Sequence, residues 1–132
     1  MAFQCSVVTP EHQVFDGRVV QAILPAHDGL LGICTGRAPL LVKLGVGPLR
    51  LDLPDGGRKI FFLDGGLAQM KDNRLTVLAG DVVPADQLDY EAAAEEYRQA
   101  LAAPITDDEA ARQRDRALAR ARAKQALASR TR

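Results

Sequence analysis

Apolar and polar residues alternate with period two through much of the first 84 positions. Phe3, Cys5 and Val7 interleave with Gln4 and Ser6, and Leu49, Leu51 and Leu53 with Arg50 and Asp52. Leu75, Val77 and Ala79 interleave with Arg74, Thr76 and Leu78. This is the signature of strands with one buried face. Val19 to Leu24, Leu40 to Val46, Ile60 to Leu63 and Leu67 to Lys71 add apolar runs in which residues of strand propensity are frequent. Breaks are expected at Glu11-His12-Gln13, Asp16-Gly17, Gly45 with Gly47 and Pro48, Pro54 to Gly57, Asp64 to Gly66, and Asp72-Asn73. Of these, Pro54-Asp-Gly-Gly57 has the clearest hairpin chemistry: Pro and Asp start the turn and Gly tolerates positive φ. Many short strands with closely spaced turns predict an all-β sandwich or barrel over residues 1–84.

The period changes after Val83-Pro84. Leu88 to Ala103 is rich in Ala and Glu, and Tyr90, Ala93, Ala94, Tyr97 and Leu101 share a stripe at helical spacing. Asp86 is the expected N-cap, Pro104 ends the helix, and Thr106 is the expected cap of a second helix over Ala110 to Ala128. The short link predicts an antiparallel hairpin over residues 85–132. Its large apolar residues are few, and Leu118 and Leu127 are spaced to fall on opposite faces. Alanine buries little area, at about 25 cal/mol per Å², so the helices should pack weakly and separate easily.

One stretch fits neither period. Asp28 to Leu41 holds Gly29, Gly32, Gly36 and Pro39 among large apolar side chains. It reads either as a buried bend or as an apolar loop that meets a partner.

Composition narrows the function. In 132 residues, 47% are apolar, enough for a core, and the formal net charge is zero. A nucleic-acid binder driven by bulk charge is therefore disfavoured. The charge is unevenly placed. Residues 85–111 carry eight acids and one base, whereas residues 112–132 carry eight bases and one acid. The basic helix can be a solvated face neutralised by its neighbour, a phosphate contact, or a surface for an acidic protein that competes with the first helix. No interleaved aromatics support the phosphate reading. No apolar run approaches the ~18 residues of a membrane span, and no leader pattern is evident at Met1-Ala-Phe-Gln-Cys5, so folding in the cytoplasm is expected. Cys5 and Cys34 lack metal or redox spacing and read as reduced, small apolar residues on strands. There is no Walker loop, no nucleophile elbow and no metal-ligand cluster. His12 and His27 are isolated loop histidines, and Asp64 reads as a turn acid. Neither an enzyme site nor a cofactor is expected.

The residues then resemble a family along the whole chain. Val7-Val-Thr-Pro10 with Val14-Phe-Asp-Gly17, Gly29-Leu-Leu-Gly-Ile-Cys-Thr-Gly-Arg-Ala-Pro-Leu-Leu41, Asp64-Gly-Gly66, Asn73 to Ala79, and Leu88-Asp89 resemble the epsilon subunit of bacterial F-type ATP synthase. The resemblance implies an α+β protein, a β-sandwich followed by an α-helical hairpin. It implies a non-catalytic rotor subunit, peripheral on the cytoplasmic face of the inner membrane, that helps couple proton flow to ATP synthesis. His27, Asp28, Gly29 and Leu30 would face the membrane ring of c subunits, and Arg37, Ala38, Pro39 and Leu40 the gamma subunit. Ile33, Pro39, Leu40 and Leu41 would enter the sandwich and its edge. The hairpin would inhibit ATP hydrolysis when extended, with Arg112, Arg116, Arg120, Arg122 and Lys124 meeting an acidic segment of the catalytic beta subunit.

Two positions depart from the family pattern. Arg37 stands where the family usually has His. In the ATP-binding motif Ile/Leu-Asp-x-x-Arg-Ala, Ala92 replaces the arginine, leaving Asp89 at most as a nucleotide contact. Weak or no ATP binding is therefore expected.

Overall fold

The structure is a computed structural model and describes residues 1–130. The last two positions of the predicted hairpin, 131–132, lie outside the described residues. Two compact units divide between Pro84 and Ala85.

The first unit has seven strands: β1 (Phe3–Val8), β2 (Gln13–Val19), β3 (Gln21–Ala26), β4 (Gly29–Cys34), β5 (Leu40–Asp52), β6 (Arg58–Lys71) and β7 (Arg74–Pro84). They hydrogen-bond in the order β2-β1-β7-β6-β5-β3-β4. All neighbours are antiparallel except β1 and β7, which run parallel with Cys5 opposite Leu75.

A single hydrogen-bonded sheet becomes a sandwich because its three longest strands bend. Along β5 the buried side chains fall at even positions up to Leu44, then at odd positions from Leu49. Along β6 the phase switches between Leu63 and Ala68, and along β7 the inward positions shift from Ala79 to Val82. The switches align. Gly45 lies opposite Gly65, between the pairs Leu44↔Gly66 and Val46↔Asp64. Gly65 in turn lies opposite Gly80, between Gly66↔Ala79 and Asp64↔Asp81. A row of glycines thus forms a crease across β5, β6 and β7. Gly65 and Gly66 have φ of 72° and 124°, which lets β6 turn over without leaving the sheet. Phe3, Cys5, Val7, Val19, Ala22, Leu24, Ile33, Leu49, Leu51, Phe61, Leu63, Met70, Leu75 and Val77 fill the space between the layers.

Three expected breaks are therefore absent. Asp64-Gly-Gly66 and Gly45 to Pro48 bend strands instead of ending them. Asp16-Gly17 lies inside β2, opposite Ser6 and Cys5. The turn before β2 is instead built around Thr9, whose N–H and hydroxyl both donate to His12 O, at 2.9 and 3.1 Å. The run Val19 to Leu24 is shared between two strands, parted at Val20. Pro54 to Gly57 is the predicted turn, closed by Leu53 N–H to Gly57 O at 2.8 Å. Cys5 and Cys34 are both free and both lie on strands as expected, the first buried and the second exposed.

The second unit opens with a 3₁₀ turn, Ala85–Gln87, followed by α1 (Tyr90–Ala102) and α2 (Asp108–Arg130). Asp89, not Asp86, caps α1, its carboxylate accepting from Glu91 N–H at 2.9 Å. Asp107, not Thr106, serves α2, accepting from Ala110 N–H at 2.8 Å. In both cases a carboxylate nearer the helix captures an unsatisfied first-turn N–H. The pairs Tyr97–Arg122 and Glu96–Lys124 run in opposite chain directions, so the helices form an antiparallel hairpin. Its buried positions are Ala85, Ala93, Ala100, Ala121, Leu127 and Ala128, whereas Leu101 from the predicted stripe is exposed.

Candidate functional site

The stretch Asp28 to Leu41 is neither a buried bend nor one loop. It comprises half of a tight turn, the straight strand β4, an irregular loop over 35–39, and the start of β5. His27 and Asp28 form the two-residue turn between β3 and β4. Gly29 follows at φ 138°, a value an L side chain rarely adopts. His27 N–H donates to Lys43 O at 3.0 Å, which pins the tip against β5. His27, Asp28, Gly29 and Leu30 are all exposed.

Arg37, Ala38, Pro39 and Leu40 lie beyond the other end of β4. A six-residue strand therefore separates the two predicted contact regions, by roughly 20 Å at 3.3 Å per residue. Arg37, Ala38 and Pro39 are exposed, and Leu40 is half-buried against the core. Ile33 is fully buried as expected, but Pro39 and Leu41 are not inside the sandwich. Strand alternation explains Leu41: with Leu40 and Val42 turned inward, Leu41 must point out.

Leu41 belongs to an outward apolar group. The register places Val8, Leu78, Leu67 and Lys43 in one row across β1, β7, β6 and β5, with Leu41 opposite Gln69 in the next row. Leu41, Leu67 and Leu78 are exposed, and Val8, Thr9, Pro10, Leu78, Ala79 and Gly80 line a groove of about 340 Å³. Leu67 was not singled out from sequence as a surface residue. Its signal was a leucine on the polar phase of a strand, out of step with Ala68 and Met70.

On α2 the predicted cations differ in their surroundings. Arg112 pairs with Glu109 within its own helix at 2.8 Å. Arg116 is exposed and Arg120 half-buried. Arg122 donates to the Tyr97 hydroxyl at 3.1 Å, its guanidinium 5.5 Å from the ring centre. Lys124 lies 3.3 Å from both Glu96 oxygens, with only 13% of its side chain accessible. The acidic helix thus already holds two of the cations expected to meet an acidic partner. Arg114, also basic, has a buried Nε without a hydrogen-bond partner among the described residues. Asp89 spends its carboxylate on the helix cap, and Ala92 is exposed one turn on.

The sandwich also holds an ionic cluster of three residues. Asp52 accepts from Arg50 at 3.0 and 3.1 Å and from Arg58 at 3.2 Å. The Arg50 hydrogen bond holds the Asp52 carboxyl below its ordinary range. Its place at the base of the β5–β6 hairpin makes it a fastening for that turn. Among the described residues no group of three or more His, Cys, Asp or Glu is placed to hold a metal, and no helix is long and apolar enough to cross a membrane.

The described residues present an apolar sheet face, a tight exposed tip, and a hairpin that holds opposite charges together. Comparison with known proteins gives a chain of this fold its family. Residues 2–85 match the model for the ATP synthase, Delta/Epsilon chain, beta-sandwich domain. The chain is 42% identical over 122 residues to an ATP synthase epsilon chain of Rhodopirellula baltica, covering 92% of this chain and 94% of the relative. It is 40% identical over 98 residues to that of Chromohalobacter salexigens, covering 74% and 69%. It is similar in fold to a chain of the Euglena gracilis mitochondrial ATP synthase, in a structure of OSCP, F1 and c-ring, with a TM-score of 0.86 at 19% identity, covering 95% of this chain and 80% of that one. A chain from the central stalk and c-ring of the Tetrahymena thermophila mitochondrial ATP synthase gives 0.73 at 16%, covering 95% of both. This chain belongs to the family of ATP synthase epsilon chains. An epsilon chain is a subunit of that complex and is not its catalytic subunit.

Proposed function

We propose that this chain is a rotor subunit of a proton-translocating F-type ATP synthase, carried peripherally on the cytoplasmic face of the inner membrane. In this reading the β-sandwich seats on the gamma subunit through Arg37, Ala38, Pro39 and Leu40. The tip His27 to Leu30 rests on the ring of c subunits. The helical hairpin restrains ATP hydrolysis when α2 leaves α1 and brings Arg112, Arg116, Arg120, Arg122 and Lys124 to an acidic segment of the catalytic beta subunit.

The observation that carries the seating is the outward apolar group. Leu41 continues directly from Leu40, and Leu67 and Leu78 extend the same face. Three exposed leucines together on one sheet face are what a partner surface presents. The hairpin reading is supported by its chemistry. Its buried positions are mostly alanines, and Lys124 and Arg122 are held by Glu96 and Tyr97, groups for which an acidic partner can substitute. Glu96 is about half exposed although Lys124 is not. Ion pairs open to solvent on one side contribute little, about 0–1 kcal/mol each when exposed, so the closed and open arrangements can lie within a few kcal/mol of one another. Nucleotide is not the trigger in this reading, because Ala92 offers no cation to a phosphate and Asp89 is engaged as a cap.

Truncation after Pro84 tests the division of labour. The truncated chain should assemble with the complex and support ATP synthesis, while ATP hydrolysis rises. Failure to assemble, or unchanged hydrolysis, would overturn it.

A further inference from the structure

Asn73 ties its own hairpin to two segments that are far from it in sequence. It occupies the tip of the β6–β7 hairpin beside Asp72, and both residues have positive φ, 53° for Asp72 and 59° for Asn73. Its Oδ1 accepts from Gly36 N–H at 3.1 Å, and its Nδ2 donates to Ala2 O at 3.4 Å. Its main-chain carbonyl accepts from Gln4 N–H at 3.3 Å. The side-chain orientation is fixed by these partners, since a backbone N–H needs an oxygen and a carbonyl needs an NH₂.

The loop over 35–39 has little else to hold it. Arg37 N–H returns locally to Cys34 O at 3.3 Å, and the Thr35 hydroxyl has no hydrogen-bond partner among the described residues. Ala38 and Pro39 are exposed. Gly36, at φ 82°, turns its N–H towards Asn73. The bond from Gly36 to Asn73 thus ties this loop to the body of the sandwich.

We propose that Asn73 is a positioning residue for the docking loop: it fixes Gly36, and through it the presentation of Arg37, Ala38 and Pro39 to the partner of this face. The proposal rests on the reading that Arg37 to Leu40 meet the gamma subunit. Asparagine suits the position for two reasons. It tolerates the left-handed backbone at little cost. It also supplies an acceptor and a donor from one planar group, so the loop and the N-terminal segment are held in fixed relation. Glycine would satisfy the backbone alone. Aspartate would satisfy the backbone and the Gly36 bond, but not the bond to Ala2.

Those two replacements dissect the proposal in the full-length chain, with binding measured to the gamma-containing catalytic subcomplex and amide exchange followed at Gly36. Asn73→Gly should expose the Gly36 amide to exchange and weaken binding about tenfold, the factor that loss of roughly 1.4 kcal/mol gives. Asn73→Asp should restore most of the protection and of the affinity, which a role confined to holding the fold would not predict if both variants are equally stable. Arg37→Glu separates this proposal from the docking reading beneath it. If Arg37→Glu weakens binding and Asn73→Gly does not, the positioning role is wrong. If Arg37→Glu leaves binding unchanged, the docking reading fails instead. Equal loss in the Gly and Asp variants, with both folded, would also overturn the role assigned to the Gly36 bond.

Discussion

Gly66 of β6 lies so close to Leu78 of β7 that a Cβ at residue 66 would overlap the Leu78 carbonyl oxygen and approach Ala79 Cα to 2.9 Å. The obstacle is backbone on the facing strand, which cannot swing aside as a side chain would. Gly66 also has φ 124°, so replacement is strained even before the collision. Gly66→Ala should destabilise the sandwich by roughly 3 kcal/mol or more, through strain and forced strand separation together. Gly56→Ala is the control, because φ 93° is shared in kind but nothing lies within 4 Å of the added carbon. It should cost about 1–2 kcal/mol. Urea unfolding of the two variants measures the difference, and equal losses would refute the close approach.

Cys5 and Cys34 should behave as opposites. Cys5 is wholly enclosed, and burial first, then the charge of Asp16, pushes its thiol up to about 12 from an ordinary 9.0. The folded state keeps the proton that the unfolded chain releases above pH 9. The stability owed to the neutral thiol is therefore present below pH 9 and falls as pH rises towards 12, by up to about 1.4 kcal/mol per pH unit. Cys5→Ala should flatten this alkaline decline relative to the parent chain. Thiol reagents at neutral pH should label Cys34 promptly and Cys5 only on unfolding. Prompt double labelling would show that the first strand opens readily.

Leu30 tests whether the tip serves contact or stability. It is 69% exposed in a turn-flanking position that contributes nothing to the core. Leu30→Asp should change stability by about 0.5 kcal/mol or less, as exposed substitutions do, while association with the c-subunit ring weakens. A marked fall in melting temperature would instead make the tip part of the fold.

Asp89 caps α1, its carboxylate accepting from Glu91 N–H at 2.9 Å. Asp89→Ala removes the acceptor for Glu91 N–H and should cost the hairpin about 1 kcal/mol. Faster exchange at the Glu91 amide is the local readout. Calorimetry with ATP should show no micromolar binding to the parent chain, and tight binding abolished by Asp89→Ala would give the carboxylate a second role.

Much of the fold could be read from alternation. β1, and β7 as far as Ala79, follow the period-two pattern residue by residue, and Pro54 to Gly57 marks its turn through the chemistry of Pro, Asp and Gly. The crease could not be read this way. Gly45 and Gly65 look like ordinary strand breakers and Gly80 draws no notice, because a one-dimensional pattern does not show that they stand side by side. The same blindness misplaced Leu41, which shares its hydrophobicity with Leu40 but not its direction. At the hairpin, Asp86 and Thr106 are good caps by residue type. They lost to Asp89 and Asp107, whose carboxylates sit within reach of free first-turn amides. The candidate contact regions were located as stretches of sequence, whereas their separation by β4 and the tie from Asn73 depend on register and distance.

The glycine crease also determines how the sandwich carries load. In a sandwich of two separate sheets, the layers are held mainly by side chains, and a sideways force can slide one across the other. Here β5, β6 and β7 each run through both layers, so such sliding pulls on covalent backbone in three strands at once. A load applied to one layer is carried to the other along the backbone of these three strands as well as through the packing between them.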